Sequence, residues 1–385
     1  MNRHAMRVLI VSRGFPLAPG GDAMQGIFEW DQAIALSQVG IEVTFFAIDL
    51  RSFRRKRRLG YSHGIEKEIN WHVIALPVGA IGIRLLNVIG RMAARMLYKK
   101  VYRHKEPPQL IHAHFGDVGS YAAAIKSNNN IPLIITEHSS GINRSCPDTG
   151  LLSISKHAYL QADVVVAVGK SLADSIKRYT GVEAVVVPNV VAVALFDRCK
   201  KVRHEGFRIA TVSNLVPVKN TMGLLVALKE LKLDYPNICV DVVGDGPLRG
   251  ELEQYVIDNG LQSVVTFHGR LSRENICDVY AVSDCMAMVS RSETFGVAYV
   301  EAMAAGLPVI ATRCGGPEDF VDETCGILVE VDNTEQLCEA IKKMVVNRDR
   351  YNADAIRKYV HNRFSSEAVS HQLIELYKSN IADID

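Results

Sequence analysis

Several features that would mark a secreted, membrane-spanning or zinc-binding protein are missing from this sequence of 385 residues. Its eight cysteines include no C-x-x-C pair, which favours reduced thiols over a disulfide framework or a zinc site. No signal peptide precedes the first predicted strand, and no run of about 18 apolar residues could span a bilayer. We therefore expect a cytoplasmic protein.

Patterns typical of dinucleotide, metal and nucleic-acid binding are incomplete. The loop RGFPLAPGGDAMQG, residues 13–26, lacks G-x-G-x-x-G, and no acidic residue ends a strand about twenty residues after GDGPLRG, residues 244–250. His112 and His114 alternate on one strand without a third ligand nearby, so we interpret them as structural or cleft-lining. The basic run at 51–58 contains a single aromatic residue, which argues against a nucleic-acid partner.

The composition is typical of a globular protein, with 48% apolar and 22% charged residues. The length exceeds what one hydrophobic core usually supports, so two domains are expected. The net charge of +2 conceals an asymmetry, because residues 1–190 carry 23 Lys and Arg against 14 Asp and Glu, whereas the remainder is acidic. The amino-terminal part should therefore prefer anionic surroundings.

Short β-rich runs alternate with helical patterns along both halves of the chain. The predicted strands cover 7–11, 41–46, 71–74, 110–114, 132–136 and 163–167, and then 208–212, 238–243, 264–267, 285–289 and 309–312. Near-continuous apolar strands separated by helices indicate parallel sheets covered on both faces. The predicted fold class is α/β, with two Rossmann-like, doubly wound domains that face a cleft, the default ligand site.

The same patterns set the expected boundaries. One domain should cover 1–190 and the second 191–364, with a linker near 188–206. The last stretch, 365–385, carries apolar residues at helical spacing, and we expect this helix to pack back across the linker towards the first domain.

Two acids stand out in SETFGVAYVEAMAAGLPVIATRCGGPEDF, residues 292–320. Glu293 and Glu301 lie eight positions apart among apolar or small residues. A helix should begin after Gly296 and stop at Gly306, so Glu301 lies about two turns in, where a buried carboxylate needs a partner. The backbone N–H groups at the start of this helix would form an anion site that suits a pyrophosphate.

This E-x7-E spacing resembles that of retaining glycosyltransferases with the GT-B architecture, in particular family 4 and the members that build bacterial surface polysaccharides. The stretches LPVIATRCGGPEDFV, VVGDGPLRGELE, FHGRLSRE and VVVPNVV resemble that family in order and spacing. The resemblance implies an acceptor-binding first domain and a nucleotide-sugar-binding second domain. It also implies that Glu301 binds the ribose hydroxyls, which would be its missing partner, and that Glu293 contacts the transferred sugar.

Further roles follow from the resemblance. His138 in ITEHSSG would contact the donor sugar, and Lys219 in SNLVPVKN would neutralise the diphosphate. Without the resemblance, a lone His is more often a satisfied polar residue, and Lys219 could be a solvated lysine before an Asn220 cap. Similar proteins have an arginine where this sequence has Asn214, so Lys219 would carry the charge alone. The expected catalytic residues are His138, Glu293 and Lys219, and the expected donor-binding residues are Gly20, Gly21, Asn214, Lys219, Thr294, Phe295, Gly296, Val297 and Glu301.

Two basic segments lie in the first half: RSFRRKRR, residues 51–58, and the amphipathic pattern from Ile81 to Lys105. The second segment aligns basic residues beside an apolar row, which suits an anionic membrane surface. It equally suits a helix that covers the sheet and has a solvated charged edge. The sequence leaves both interpretations open.

We expect a retaining glycosyltransferase that moves a sugar from a UDP- or GDP-sugar to a hydroxyl of a saccharide or lipid-linked glycan. It would work in the cytoplasm or on the inner face of the membrane. No cofactor or metal ion is expected, because no D-x-D motif stands at a strand end and helix amides with a lysine can neutralise phosphate. Two alternatives stay open: a nucleotide-sugar epimerase or phosphorylase of the same architecture, and a non-catalytic module that binds a nucleotide sugar or a membrane.

Overall fold

The computed structural model describes residues 5–17, 26–52, 54, 57–79, 81–143 and 147–381. It divides into two compact units, one formed by Met1–Val190 together with Ser366–Asp385 and the other by Val191–Ser365. Each unit has its own β-sheet and its own hydrophobic core.

The first unit contains an eight-stranded sheet flanked by helices. Its strands are β1 (Arg7–Ser12), β2 (Glu42–Asp49), β3 (Gly60–Glu66), β4 (Ile69–Ala75), β5 (Leu110–His114), β6 (Leu133–Glu137), β7 (Val164–Ala167) and β8 (Val185–Val186). Its helices up to the boundary are α1 (Ile27–Gln38), α2 (Ile83–Tyr102), α3 (Gly116–Asn129), α4 (Thr149–Tyr159) and α5 (Lys170–Thr180). The strand order is β3-β4-β2-β1-β5-β6-β7-β8, with only the β3–β4 pair antiparallel. The strand order therefore reverses between β1 and β5.

The second unit contains a six-stranded sheet in which every neighbouring pair is parallel. Its strands are β9 (Phe207–Val212), β10 (Ile238–Val243), β11 (Val265–Gly269), β12 (Cys285–Met288), β13 (Val309–Thr312) and β14 (Gly326–Val329). Its helices are α6 (Val193–Phe196), α7 (Thr221–Leu231), α8 (Arg249–Asp258), α9 (Arg273–Ala281), α10 (Val297–Ala304), α11 (Thr334–Val346) and α12 (Ala353–Phe364). The order β11-β10-β9-β12-β13-β14 is that of a dinucleotide-binding fold and reverses between β9 and β12.

The carboxyl-terminal helix α13 (Ser366–Ile381) belongs to the first unit, although it follows the second in sequence. Its apolar residues Val369, Leu373 and Tyr377 are buried in the core that also contains Trp30 and Leu36 of α1. This packing confirms the expectation that the last helix returns to the first domain. It results from the spacing of the three residues, which places them on one helical face.

The predicted α/β class is confirmed, but three strands were not predicted. The antiparallel strand β3 forms a hairpin with β4 through Lys67 and Glu68, which adopt φ of 47° and 64°. A two-residue turn with positive φ usually contains Asn-Gly or Asp-Gly, so Lys-Glu gives no hairpin signal. The strands β8 and β14, of two and four residues, each lie at the edge of their sheet.

The expectation of reduced thiols is wrong for one pair of cysteines. Cys199 and Cys277 form a disulfide with their Cα atoms 5.2 Å apart, and 78 residues separate them in sequence. Cys199 follows α6 and Cys277 lies on α9, and these two helices pack together. Sequence spacing could not indicate this proximity, because packing of the second unit creates it.

The basic run at 51–58 is not uniformly exposed to solvent. The side chain of Arg57 is buried, and its Nε lies 2.8 Å from Asp49 Oδ2. Its Nη2 also donates to the carbonyl oxygens of Arg51 and Leu76. Arg57 therefore holds the loop after β2, while residues 53, 55 and 56 lie outside the described part of the chain.

Candidate active site

An ion pair lies where the second sheet reverses its strand order. Lys219 follows β9 and Glu293 follows β12, and Lys219 Nζ lies 2.5 Å from Glu293 Oε1. Ser290 Oγ donates to the same carboxylate oxygen at 2.8 Å. In sheets of this type, ligands bind outside the carboxyl ends of the strands at the reversal. Two of the three predicted catalytic residues are therefore brought together at the expected place.

Arg291 holds the loop that carries Lys219. Its backbone N–H donates to the carbonyl of Val218 at 2.8 Å, and its guanidinium donates to the carbonyl of Pro217 at 3.0 Å. The same guanidinium pairs with Asp332 at 2.9 Å. Lys219 lies in a single 3-10 turn, Pro217–Lys219, and α7 begins two residues later at Thr221.

The helix α10 begins as predicted from its glycines. Gly296 has φ of 97°, and a Cβ there would lie 2.6 Å from the Tyr299 ring, so only glycine fits this position without strain. Within the described residues, the backbone N–H groups of Thr294, Phe295, Gly296 and Val297 donate no hydrogen bond. Four unsatisfied donors at the amino end of a helix, together with its dipole, form a site that favours an anion.

A third loop, which follows β13, supports this turn. Gly316 N donates to the carbonyl of Glu293 at 2.9 Å, and Glu293 N donates to the carbonyl of Cys314 at 3.1 Å. A Cβ on Gly316 would lie 2.4 Å from backbone atoms of Phe295. The CGGPEDF stretch is therefore needed for the close approach of two backbones, which fixes the N–H groups in place.

Glu301 is buried as predicted, but the expectation that it lacks a protein partner is wrong. Arg273, the first residue of α9, places its Nε 3.1 Å from Glu301 Oε1. The two residues are 28 positions apart, so no local pattern indicates the pair. Arg273 belongs to the FHGRLSRE stretch, yet only the packing of α9 near α10 reveals its role.

The loop that contains Asn214 packs against the GDGPLRG stretch. Asn214 is exposed in the loop after β9. Cβ atoms on Gly244 and Gly246 would lie 1.8 Å and 2.4 Å from the carbonyl oxygens of Ser213 and Leu215. The glycines thus allow the loop after β10 to pack directly on the loop that leads to Lys219, which explains a motif that is not a dinucleotide fingerprint.

In the first unit, His138 follows β6 and its backbone is fixed by a buried carboxylate. Glu137 Oε1 accepts the N–H groups of His138 and Ser139 at 2.9 Å and 2.7 Å. Its Oε2 accepts Gly116 N at 2.8 Å and the Tyr159 hydroxyl at 2.5 Å. Burial raises the pKa of Glu137, and the Tyr159 hydroxyl is the main group that opposes this shift. Sequence reasoning missed Glu137, although it directly precedes His138.

Three histidines lie in a row at this carboxyl edge. The rings of His138 and His114 are nearly parallel with centroids 5.2 Å apart, and they meet edge to edge because His114 Nδ1 lies 2.9 Å from His138 Nε2. The rings of His114 and His112 stack with centroids 4.7 Å apart. Burial lowers the pKa of both His112 and His138 to about 3, and it also lowers the pKa of His114 well below its usual value. The rings are therefore neutral at physiological pH, and the interpretation of His112 and His114 as structural agrees with their burial.

The reversal point of the first sheet also carries an ion pair. Arg13 follows β1, and its Nη2 lies 2.8 Å from Asp117 Oδ1. Its guanidinium stacks 3.7 Å from the Phe115 ring centroid. Phe115 adopts φ of 72°, a strained value for a residue with a side chain. The predicted donor-binding Gly20 and Gly21 lie outside the described residues.

No group of three or more His, Cys, Asp or Glu that could hold a metal ion occurs in the described part of the chain. The same residues include no helix that is both long enough and apolar enough to cross a membrane. Burial raises the pKa of the Cys314 thiol, beside Glu293, to about 11. This thiol is therefore protonated and a poor nucleophile at neutral pH.

Both halves of the chain match known families. Residues 30–195 match the family described as Glycosyltransferase Family 4, and residues 196–363 match Glycosyl transferases group 1. A Bacillus subtilis protein named for teichuronic acid biosynthesis, TuaC, is 26% identical over 88% of this chain and 89% of its own length. The N-acetyl-alpha-D-glucosaminyl L-malate synthase of Bacillus anthracis is 26% identical over 72% of this chain and 77% of its own.

Solved structures with the same fold cover nearly the whole chain. The sucrose-phosphate synthase of Thermosynechococcus elongatus superimposes with a TM-score of 0.81 at 21% identity, covering 98% of this chain and all of its own. Anabaena HepE, solved with UDP and glucose, has a TM-score of 0.73 at 20% identity over 97% of this chain and all of its own. The two-domain architecture expected from the sequence is that of these proteins.

Proposed function

Because the chain is a glycosyltransferase of the GT-B type, built of the two domains that these families define, we propose that it transfers a sugar from a nucleotide diphosphate donor with retention of configuration. The observation that carries this proposal is the Lys219–Glu293 pair beside four unsatisfied backbone N–H groups. A cation and convergent amides at one point are suited to a diphosphate. HepE and its complexes with UDP favour a UDP-sugar, and a GDP-sugar is the other candidate.

Donor binding exchanges the partners of this ion pair. The diphosphate accepts hydrogen bonds from the amides of Thr294 to Val297, and Lys219 turns from the carboxylate to a phosphate oxygen. Glu293 is then released to accept a hydroxyl of the transferred sugar. The 2.5 Å pair therefore holds both side chains in place until the donor arrives.

Glu301 binds the ribose of the donor. Arg273 pairs with the carboxylate of Glu301 and offsets part of the cost of burying its charge. Two ribose hydroxyls are good donors to such a carboxylate, and each charge-assisted bond contributes about 1.5–3 kcal/mol. Without a ligand, the partner of Glu301 is therefore Arg273. With the donor bound, Glu301 contacts both Arg273 and the ribose.

Catalysis consists of stabilising charge rather than supplying a protein nucleophile. Lys219 and the amides stabilise the departing diphosphate as the bond to the sugar weakens, and the sugar carbon gains oxocarbenium-like character. Asn214 donates hydrogen bonds but adds no charge. His138, which belongs to the first unit, contacts the donor sugar. No metal ion is required in this proposal, because the cation and the amides act on the phosphates directly.

The acceptor is a hydroxyl of a saccharide, and α2 favours a lipid-linked one at an anionic membrane surface. The outer apolar row of α2, consisting of Leu85, Val88, Met92 and Met96, has exposed fractions between 51% and 67%. These residues lie at i, i+3, i+7 and i+11 and therefore share one face. The opposite face of α2 is buried against the sheet and α3, so the helix covers the domain and still exposes an apolar row.

Basic residues flank the outer apolar row. Arg84 and Lys99 are exposed near its two ends, whereas Arg95 is half-buried and donates to the carbonyl of Ala124. An exposed apolar row with cations at its margins inserts into the headgroup region of an anionic bilayer. The protein would thus be peripheral on the inner face of the cytoplasmic membrane.

Vesicle sedimentation tests this surface. We expect binding to vesicles with anionic lipids, weakened as salt rises because the attraction is screened within about 8–10 Å. The double variant Met92→Ser/Met96→Ser should lose most binding. The matched control Ile65→Ser removes a residue with 72% exposure on β3 and should leave binding intact. Equal binding to neutral vesicles would refute the electrostatic part.

A donor screen followed by product analysis tests the proposed reaction. Thermal shifts with UDP, GDP, ADP and their sugars identify the nucleotide, since a ligand at about 100 times its dissociation constant adds about 2.7 kcal/mol of stability. Transfer to saccharide acceptors is then followed by the anomeric configuration of the product. Donor conversion without a glycoside product would select an epimerase or phosphorylase, and binding without turnover would select a non-catalytic module.

A further inference from the structure

A buried hydrogen-bond network reaches from the carboxyl-terminal helix to His138. The Tyr377 hydroxyl lies 2.6 Å from His112 Nδ1, and Gln32 Nε2 lies 3.2 Å from the same nitrogen. Gln32 Nε2 also lies 3.5 Å from His114 Nε2. His114 Nδ1 in turn lies 2.9 Å from His138 Nε2.

The direction of these bonds follows from the chemistry of the amide. A primary amide nitrogen only donates, so His112 Nδ1 and His114 Nε2 act as acceptors and carry no proton. A neutral imidazole has one protonated nitrogen, so His112 donates from Nε2 to Thr136 Oγ1, 2.7 Å away. His114 likewise carries its proton on Nδ1 and donates it towards His138 Nε2.

These assignments determine which ring nitrogen of His138 carries the proton. Its Nε2 accepts from His114, so its proton resides on Nδ1. This Nδ1 is buried and makes no hydrogen bond of ordinary geometry among the described residues. The side chain of Asn189 interacts weakly with the ring and raises its pKa against the effect of burial. A buried N–H so poorly satisfied can still donate to a ligand oxygen.

We propose that His114, oriented by Gln32, is a positioning residue that fixes His138 as the Nδ1–H tautomer and presents this N–H to an oxygen of the bound sugar substrate. The inference rests on the proposed function for the identity of that ligand. It adds the assignment of donor and acceptor, which makes His138 a hydrogen-bond donor and excludes it as the base that takes a proton through Nδ1.

Charged groups around His138 agree with a neutral donor. In addition to burial, Arg13 from the loop after β1 lowers the pKa of His138. The carboxylate oxygens of Glu137 accept hydrogen bonds from backbone N–H groups and from the Tyr159 hydroxyl. Asp117, which could otherwise attract a proton to the region, is paired with Arg13. No described acid thus replaces the network as the determinant of the tautomer.

Nuclear magnetic resonance of ¹⁵N-histidine-labelled protein reads the tautomer directly. Two-bond ¹⁵N–¹H correlations distinguish Nδ1–H from Nε2–H, and a His138→Asn sample assigns the signal among the 12 histidines. We expect His138 as Nδ1–H in the ligand-free protein. Finding it as Nε2–H would overturn the inference whether or not the protein transfers sugar.

Substitutions separate positioning from structural support. His114→Leu removes the donor to His138 and should mix the His138 tautomers and lower kcat about tenfold, as loss of an orienting residue does. His114→Asn keeps a donor near the Nδ1 position and should restore most of both. Gln32→Met tests the 3.5 Å link, the longest in the network, and should mix the tautomers of His114 and His138.

Thr136→Val is the matched control, because it breaks a bond of similar burial on the side of His112 away from His138. It should leave the His138 tautomer and the KM for the donor within roughly twofold of wild type. An unchanged His138 tautomer in both His114→Leu and Gln32→Met would overturn the proposal. A correct tautomer in a protein without transferase activity would instead refute the proposed function.

Discussion

The two sheets carry an ion pair at the same topological place, yet the surroundings differ. In the first unit, Arg13 pairs with Asp117 at the reversal between β1 and β5, beside a row of neutral histidines. In the second, Lys219 pairs with Glu293 at the reversal between β9 and β12, beside unsatisfied backbone N–H groups. The reversal point of the first sheet has neutral histidine rings beside its ion pair, whereas that of the second sheet has unsatisfied backbone N–H groups beside its own.

This difference teaches that the net charge of a region does not locate its anion site. Residues 1–190 are basic and the rest of the chain is acidic, but the cation with convergent amides lies in the acidic part. Local geometry dominates because unsatisfied N–H groups and one half-buried lysine act at contact distance, whereas the net charge is screened over about 8–10 Å. Under the proposed function, the diphosphate site therefore belongs to the second unit, and His138 of the first unit would contact the sugar.

The largest effect should come from removing the cation. Lys219→Ala should lower kcat at least about 100-fold, a loss of about 2.7 kcal/mol in transition-state stabilisation. Asn214→Ala, five residues earlier in the same loop, should cost much less because an exposed amide adds no charge. Steady-state assays at saturating donor compare the two. Equal losses, or a nearly silent Lys219→Ala, would contradict a clamp with one cation, and Arg13 would be the next candidate.

Acidification should destabilise the first unit through its buried histidines. A histidine with a lowered pKa binds fewer protons folded than unfolded, so the free energy of unfolding falls as pH decreases from about 6.5 towards about 3. For His112 and His138 together we expect a loss of about 2 kcal/mol between pH 7 and 5.5.

Tryptophan fluorescence measures this loss selectively, because the only two tryptophans of the chain, Trp30 and Trp71, lie in the first unit. Urea titrations at both pH values give the free energies of unfolding. His112→Asn should reduce the pH dependence by about one histidine's share. A pH-independent midpoint in the wild-type protein would contradict neutral buried histidines.

A smaller effect should separate the two glutamates of the second unit. Glu301→Ala should weaken donor binding about tenfold, since one or two ribose bonds are lost and Arg273 loses this carboxylate partner. Glu293→Ala should mainly lower turnover. Calorimetry with the nucleotide alone, which lacks the transferred sugar, isolates the ribose contribution. Unchanged affinity in Glu301→Ala would argue against the ribose role, and Arg273→Ala with normal affinity would confine Arg273 to supporting Glu301.

The smallest effect should come from a chelator. If Lys219 and the amides of α10 neutralise the diphosphate, EDTA should change the rate by less than roughly twofold. Transfer rates before and after dialysis against EDTA give the comparison. Loss of activity that Mn²⁺ or Mg²⁺ restores would show that the second unit needs a metal ion in addition to its lysine.

Local patterns predicted much of the fold and part of the site. The predicted helix between Gly296 and Gly306 is observed as Val297–Ala304, because glycine conformations and helix ends depend on a few neighbouring residues. Lys219 and Glu293 were assigned to one site from the sequence, but it was not predicted that they form an ion pair, since 74 residues separate the two side chains. The hairpin strand β3 was missed because its turn uses residues that do not signal a turn.

The sequence by itself determined the alternation of strands and helices and the residue types placed at the strand ends, because hydrophobic periodicity and turn chemistry are local properties. Tertiary structure alone decided which of these residues meet. Arg273 reaches Glu301, Gln32 reaches His112 and His114, and Cys199 reaches Cys277 across 28, about 80 and 78 residues. Such contacts depend on how whole helices pack, and packing is fixed by the summed burial of many side chains rather than by any short stretch.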